Sequence, residues 1–508
     1  MSNQSQIQND TDLTAKTLQG MWWMLSGTWA RFAVQTALFL VLARLLTPHD
    51  FGLIASALVL NKFAEQATYY GLSQSLIQRD ELSESDLRSS YSLSLIISGL
   101  MISVVWLSTP LIAWLFHSPE LRNILPVLIW IFPFQAITSV CEAILYRRLD
   151  FKKLAFLDVI VYVFAYALVA SLLAFLGHGV WSLVWAQVSS VVLKCVLVFR
   201  ASPFPLMPLL DGAKMLVHVR QAFGFTVDGL ISFVSVQGDN LTIGLLLGPV
   251  SLGLYGRAYQ LMSMPISLFG QVMKKVLFST FSRVKDEEER LSIAVRRGLA
   301  GVALVTIPIA SILVVTAPEM IRVILGPAWI DATLPFQILA PGMFLRLAYR
   351  LADNLAWSKG AVYKSARRRG VYAGCVIVGA VVGSGFGIPG VAFGIIVALV
   401  IYYLLAMHLV TELSNLRVYD LWCAHLPGII CGSLALSVSL ISICICRFHS
   451  IPDALTLAVT LVTTGACLLF ASVSVPGFAL GRDGLWWKEK LATTARNRLP
   501  SSLARRTA

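Results

Sequence analysis

LLTPHDFGLIASA, from Leu45 to Ala57, and LLGPVSLGLYGRA, from Leu246 to Ala258, are the stretches on which the fold turns. Aligned without gaps, they share Leu, Leu, Pro, Gly, Leu and Ala at equivalent positions, about 200 residues apart. Pro and Gly mark any tight turn, so one such match carries little. Working outward, Pro110 and Pro119 reappear as Pro318 and Pro327, and Pro126 has its counterpart in Pro335. Further on, GHGVWSL from Gly177 is answered by GFGIPGV from Gly385. Three tips in the same order, at nearly the same offset, describe a chain written twice.

What lies between the tips sets the class. The 508 residues are 57% apolar and 13% charged, where a soluble chain is about a quarter charged. The apolar residues come in runs of roughly 20, enough to cross a hydrocarbon layer at 1.5 Å per helical residue. About 14 such runs extend from 20–43 to 454–478. The expectation is an all-α integral membrane protein: two six-helix lobes related by a pseudo-two-fold along the membrane normal, plus two extra C-terminal helices. Parallel repeats of this kind are typical of alternating-access transporters. The expected parts are a cytoplasmic N-terminal tail (1–19), an N-lobe (20–200), a Pro-rich cytoplasmic linker (201–220), a C-lobe (221–410), two further spans (411–480) and a basic cytoplasmic tail (481–508).

The formal charge of +13 follows the topology. Alternate loops gather Arg147, Arg148, Lys152 and Lys153, then Lys274, Lys275, Arg283, Lys285 and Arg290, then Lys359, Lys364, Arg367, Arg368 and Arg369. The other loops offer little beyond Arg44, Arg122, Arg322 and Arg447. This asymmetry places both termini in the cytoplasm and removes nucleic acid as a partner. Trp486 and Trp487 beside Lys488 and Lys490 read as an interfacial belt anchoring the tail.

Charged residues deep in a bilayer face a partner or water rather than lipid. Arg31 and Gln35 share a face of span 1, with Thr28 a turn earlier. Asn61, Lys62, Glu65, Gln66 and Tyr69 make a polar stripe on span 2. Span 7 carries Asp228, Ser232, Ser235, Asp239 and Thr242; span 8 carries Arg257, Gln260, Ser267, Gln271 and Lys274; span 10 carries Arg346, Arg350 and Asp353. Buried ion pairs that only lock helices, Lys62 with Glu65 or Arg350 with Asp353, are the structural alternative. Buried pairs rarely stabilise more than apolar packing does, and stripes on symmetry-related helices 1, 2, 7 and 8 suggest a shared polar cavity. Arg31 has no carboxylate within a turn of its own helix and is the leading ligand contact. Arginine binds phosphate through planar, bidentate hydrogen bonds, so Arg31, Lys62, Arg257, Arg346 and Arg350, with Gln35 and Gln260, suit a diphosphate and its sugar. Glu65, Asp228 and Asp239 are the candidates for coupling to Na⁺ or H⁺; no other cofactor is implied.

LARLLTPHDFGL (Leu42–Leu53) followed by GLSQSLIQRDELSESDL (Gly71–Leu87) resembles the start of Wzx-type polysaccharide flippases, of the multidrug/oligosaccharidyl-lipid/polysaccharide exporter superfamily. LLLGPVSLGLYGRAYQL (Leu245–Leu261), APEMIRVILGPAW (Ala317–Trp329) and FQILAPG (Phe336–Gly342) are similar to it as well, with the colanic-acid and xanthan exporter branch nearest in detail. The resemblance covers roughly residues 15–415. It implies a V-shaped pair of six-helix lobes in a bacterial inner membrane. It also implies movement of an undecaprenyl-diphosphate-linked oligosaccharide to the periplasmic leaflet, for exopolysaccharide or lipopolysaccharide synthesis, with membrane lipids and polysaccharide polymerase machinery as partners. The cavity cations the family implies on helices 1, 2 and 8 fall on Arg31, Lys62 and Arg257. An acidic residue expected just before Gly71 is replaced by the run Thr68, Tyr69, Tyr70, leaving Glu65 a turn earlier as its substitute.

Two other classes fit less well. A drug/cation antiporter on the same scaffold needs a carboxylate-lined, largely apolar cavity, against the surplus of midplane Arg and Lys. A membrane-embedded enzyme needs positioned acids, bases or metal ligands. The loops here are short and basic, with no HExxH or Walker A pattern.

Overall fold

The protein, a computed structural model, is described for residue 32 and residues 34–66, 69, 71–79 and 83–498. Side chains of 78, 268–276, 278–280, 478–479 and 490–498 are not described. Arg31 and Thr28 lie outside the described residues, as do the side chains of Gln271 and Lys274. The chain divides into two compact units, Met1–Gly256 and Arg257–Ala508.

The first unit begins with α1 (Val34–Leu45), and Thr47 then starts α2 (Pro48–Glu65). Thr47 Oγ1 accepts from the Asp50 N–H at 3.2 Å while Asp50 Oδ2 accepts from the Thr47 N–H at 3.0 Å, a reciprocal cap with Pro48 preset at the first helical position. Next come α3 (Gly71–Gln78) and α4 (Glu84–Leu115), the latter opened by the same kind of cap between Ser83 and Asp86. They are followed by α5 (Leu121–Leu128), α6 (Ile131–Arg147) and α7 (Phe151–Ile160). A π-helical segment (Val161–Ala167) runs on into α8 (Leu168–Phe175), and α9 (Val180–Ala201) and α10 (Gly212–Leu246) complete the set. Helix α10 starts well before the expected span start at 221, because Asp211 Oδ1 accepts from the N–H groups of Ala213 and Lys214, both at 3.1 Å. The segment before it is tied to α4: Arg88 Nε donates to the Met207 carbonyl at 2.9 Å, and the Leu209 N–H donates to Ser92 Oγ at 2.7 Å.

The two repeated tips meet inside this unit. A Cβ on Gly52 would lie 1.7 Å from the carbonyl oxygen of Pro249, and one on Gly253 would lie 1.9 Å from that of Pro48. Equivalent glycines thus receive the carbonyls of each other's equivalent prolines, the reciprocity a two-fold axis demands. The third tips agree too, since Gly179 (φ 53°) and its counterpart Gly387 (φ 70°) both take left-handed backbone.

Helix α11 (Gly248–Val284) leads into the second unit. There follow α12 (Glu288–Ile324), a 3₁₀ turn (Pro327–Ala332), α13 (Thr333–Leu339), α14 (Gly342–Ser358), α15 (Val362–Ser384) and α16 (Gly387–Ser414). Outside the repeat are α17 (Val418–Phe448), α18 (Asp453–Ser474) and α19 (Pro476–Arg498). The core of this unit joins Leu291, Val295 and Leu299 of α12 to Leu351 and Leu355 of α14 and to Val410 of α16.

Eight helices among the described residues are long and apolar enough to cross a membrane, against the 14 or so expected. The shortfall has a physical pattern. Helix α2 carries Asp50, Lys62 and Glu65, α10 carries Gln237, Asp239 and Asn240, α15 opens with Arg367, Arg368 and Arg369, and α14 has only 17 residues. Several of these helices bear the polar stripes. The tail also departs from expectation. Trp487 Nε1 donates to the Arg297 carbonyl at 3.0 Å, and the Arg297 guanidinium sits 4.2 Å over the Trp486 ring, so both indoles pack on α12.

Candidate functional site

In the first unit, four helices bring ionisable groups together. Helix α2 presents Lys62, exposed, and Glu65, half-buried, one turn apart beside buried Asn61. Glu65 lies within electrostatic reach of Lys62 and also of Lys194 on α9 and Glu142 on α6. The Lys194 ammonium donates to Glu142 Oε1 at 2.6 Å and to Asp158 Oδ1 on α7 at 3.2 Å. Sequence reasoning passed over Glu142, Asp158 and Lys194. Each is the one charged residue in the interior of its apolar run, so hydropathy averages it away. The signal was in the spacing: Thr138–Glu142–Tyr146, Asp158–Tyr162–Tyr166 and Gln187–Ser190–Lys194 each follow one helix face.

The other expected residues of this unit are spread out. Gln35 on α1 and Asp228 on α10 are exposed. Asp239 is buried and accepts from the Tyr255 hydroxyl at 2.7 Å and the Asn240 N–H at 2.8 Å, which joins α10 to the start of α11. Tyr69, where an acid was expected nearby, turns inward: its hydroxyl lies 2.6 Å from Ser98 Oγ and 3.1 Å from the Phe132 carbonyl.

In the second unit, α11 and α14 assemble the cations. Arg257 Nη1 donates to Gln260 Oε1 at 2.6 Å. Arg346, only 8% exposed, donates to the Tyr259 hydroxyl at 2.5 Å with its guanidinium 4.7 Å from the Tyr259 ring centroid. A phenol and a ring face are favourable neighbours for a guanidinium. Arg350, one turn beyond Arg346, is exposed. The suggested pair of Arg350 with Asp353 is not how Asp353 is satisfied. It accepts from Ser365 at 2.6 Å, Tyr402 at 3.3 Å and Arg369 at 3.4 Å, all on α15 and α16. Of the expected set, the structure therefore brings Lys62 near Glu65 and Arg257 onto Gln260, and separately seats Arg346 on Tyr259.

Comparison with known proteins adds the following. The sequence profile of the family described as "Polysaccharide biosynthesis protein" matches residues 41–334. The succinoglycan biosynthesis transport protein ExoT of Rhizobium meliloti (strain 1021) is 25% identical over 318 residues, covering 62% of this chain and 64% of ExoT. The match thus spans a little under two thirds of that relative's own length. The lipopolysaccharide biosynthesis protein WzxC of Escherichia coli (strain K12) is 23% identical over 352 residues, 69% of this chain and 71% of WzxC. Among solved structures, the lipid II flippase MurJ in an inward closed conformation superposes with a TM-score of 0.71, covering 89% of this chain and 98% of that one at 14% identity. An inward-facing multidrug resistance MATE family transporter gives 0.58 at 15% identity, covering 76% and 96%. At these identities the structural likeness establishes the fold alone, a multi-pass helical one.

Proposed function

Because the chain belongs to the polysaccharide biosynthesis protein family, whose profile it matches over more than half its length, we propose that it is a flippase for an undecaprenyl-diphosphate-linked oligosaccharide. It carries the headgroup from the cytoplasmic to the periplasmic leaflet of a bacterial inner membrane, with both termini in the cytoplasm as the basic loops suggest. It acts as a transporter and not as an enzyme, with polysaccharide polymerase machinery as the consumer of its product. The relatives support this reading, ExoT being a transport protein of succinoglycan biosynthesis and WzxC a lipopolysaccharide biosynthesis protein.

The observation that carries the reading is buried Arg346 of α14, seated on the ring and hydroxyl of Tyr259 on α11. Guanidiniums suit a diphosphate through planar, bidentate hydrogen bonds, and a polyprenyl tail tethers it in lipid while the head crosses. In the second unit Arg350, one turn beyond Arg346, is a further headgroup contact; in the first unit Arg31, Gln35 and Lys62 are headgroup contacts in their own right. Coupling to Na⁺ or H⁺ falls to carboxylates. Asp239 already accepts two hydrogen bonds, so exposed Asp228 and half-buried Glu65 are the ones an ion reaches.

The test uses purified protein in liposomes loaded with undecaprenyl-diphosphate-linked oligosaccharide and a sugar-directed probe outside. Wild type moves the headgroup between leaflets, and Arg31→Ala and Arg257→Ala, each stably inserted, do not. A folded wild type that moves nothing under Na⁺ and pH gradients overturns the reading.

A further inference from the structure

The ionic set on α6, α7 and α9 has a composition unlike that of the cationic set. Glu142, Lys194 and Asp158 together carry one net negative charge, while Glu65 within reach is offset by Lys62. Their side chains are 24%, 30% and 35% exposed, in the order Glu142, Lys194, Asp158. Ionised groups part-exposed amid apolar helices face water, since lipid contact would be costly. The net negative charge of the Glu142–Lys194–Asp158 group disfavours a diphosphate on these three residues.

A metal or sodium ion is also a poor fit. The Lys194 ammonium takes the point between the two carboxylates where a cation would bind. Among the described residues, no three His, Cys, Asp or Glu groups converge to hold a metal ion. What remains is directional polarity. Lys194 fixes one oxygen of each carboxylate and leaves the other, Glu142 Oε2 and Asp158 Oδ2, to accept from a ligand.

The flanks continue the theme. Gln187 and Ser190 precede Lys194 along α9, and Thr138 and Tyr146 bracket Glu142 along α6. On the Asp158 side, Tyr162 and Tyr166 stack at 5.4 Å with 19° between ring planes. They stand on the π-helical segment Val161–Ala167, where Ser189 Oγ of α9 donates to the Ala165 carbonyl at 2.6 Å. The wider π turn keeps residues four apart close to one face, and such turns concentrate at functional sites. Fixed carboxylate acceptors, an ammonium, amide and hydroxyl groups and a pair of aromatic rings match one ligand chemistry. Sugar hydroxyls both donate and accept, and sugar C–H faces lie on aromatic rings.

We propose that the face formed by Glu142, Asp158, Lys194, Tyr162 and Tyr166 is a saccharide subsite that binds hydroxyl-rich sugars of the transported headgroup and not its diphosphate. The proposal rests on the flippase reading above. It makes the first unit the place where the sugars are read and gives the carboxylates a recognition role distinct from ion coupling.

The test compares two probes on detergent-free protein in nanodiscs, with retained lipid counted by mass spectrometry. One is the lipid-linked glycan pool extracted from the producing bacterium; the other is undecaprenyl diphosphate without sugar. Wild type retains both and prefers the glycan-bearing lipid. The double variant Glu142→Gln/Asp158→Asn, and separately Tyr162→Ala/Tyr166→Ala, which spares the ion pairs, lose that preference tenfold or more while holding the bare diphosphate as before. Variants that keep the wild-type preference overturn the subsite. Equal loss of both probes assigns these residues to structure and also overturns it. A folded wild type that retains neither probe above phosphatidylglycerol overturns the flippase reading itself, and the subsite with it.

Discussion

Helices α4 and α12 hold equivalent places in the repeat, with Pro110 in one matched by Pro318 in the other. Yet 11% of the most apolar window of α4 is buried, against 50% for α12. The difference comes from the helices outside the repeat. Among the described residues no helix pair packs as extensively as α12 with α17, and α18 and α19 lie against α12 too. Polar locks hold both ends. Near one end, Arg447 donates twice to Glu319 Oε1, at 2.6 and 2.9 Å, and Arg322 pairs with Asp453 at 3.3 Å. Near the other, Arg296 grips Asp483 through Nε at 2.9 Å and Nη2 at 3.1 Å. Helix α4 is tied through Arg79, Arg88 and Ser92 at its first turns and through Ser98 to Tyr69 midway, and leaves Trp106, Leu107, Leu111 and Trp114 of its far half exposed. Two copies of one design thus differ in restraint, and their sequences show it: Glu319 and Arg322 of α12 stand where α4 has Leu111 and Trp114.

The largest break in this comparison comes from Arg447→Ala. Glu319 is 1% exposed, and a buried carboxylate that loses its cation costs about 3 kcal/mol. The melting temperature of the purified protein should fall clearly, and an unchanged one would mean that the lock does not restrain α12. Next is Gly428→Val. A Cβ there meets the Ala303 backbone at 2.6 Å, so α17 must move off α12 at about 2 kcal/mol. The matching change on the bare helix, Gly99→Val, meets nothing within 4 Å and should alter stability by no more than about 0.5 kcal/mol. Similar losses from the two would erase the distinction. Asp483→Asn weakens the charged fork to Arg296 and should cost about 1 kcal/mol, read as earlier proteolysis of the tail.

The smallest effect concerns the tether of α4. His218 is fully buried beside Arg79 and Asp86; burial, then the Arg79 charge, hold its imidazole below the ordinary histidine value. A base whose folded value is depressed takes up more protons when unfolded. Its stabilisation is therefore present above the ordinary histidine value, about 6.5, and is lost as pH falls below it. Melting followed from pH 7.5 to 5.5 should shift down by about 1 °C for this group, and His218→Gln should flatten that component. A variant that keeps the full slope places the titration elsewhere.

The repeat was legible because it is written in Pro and Gly, whose backbone constraints survive divergence; Gly52, Gly253, Gly179 and Gly387 all behave as their matched tips require. The stripes of α2, α11 and α14 were legible because several polar residues share one face. Glu142, Asp158 and Lys194 were not, since their partners sit on other helices and only the folded chain shows three lone charges to be one group. Asp353 teaches the same point: Arg350 is nearer in sequence, but Arg369 and Ser365 on α15 reach it. The locks on α12 were hidden further still. Arg447 had been counted only as loop charge, and the indoles of Trp486 and Trp487 were expected in lipid headgroups rather than on Arg297.

The Arg296–Asp483 fork has a consequence in time. Its halves leave the ribosome roughly 190 residues apart, which at ~5–20 residues per second is on the order of 10 to 40 s. During that interval α12 is already made while its partners α17, α18 and α19 are not, and its arginines must wait in the translocation machinery or at the headgroups. The second unit is therefore finished late, by the segment that carries Asp483. A nascent chain stalled or cleaved before Gly481 leaves a half that has been inserted but not yet latched.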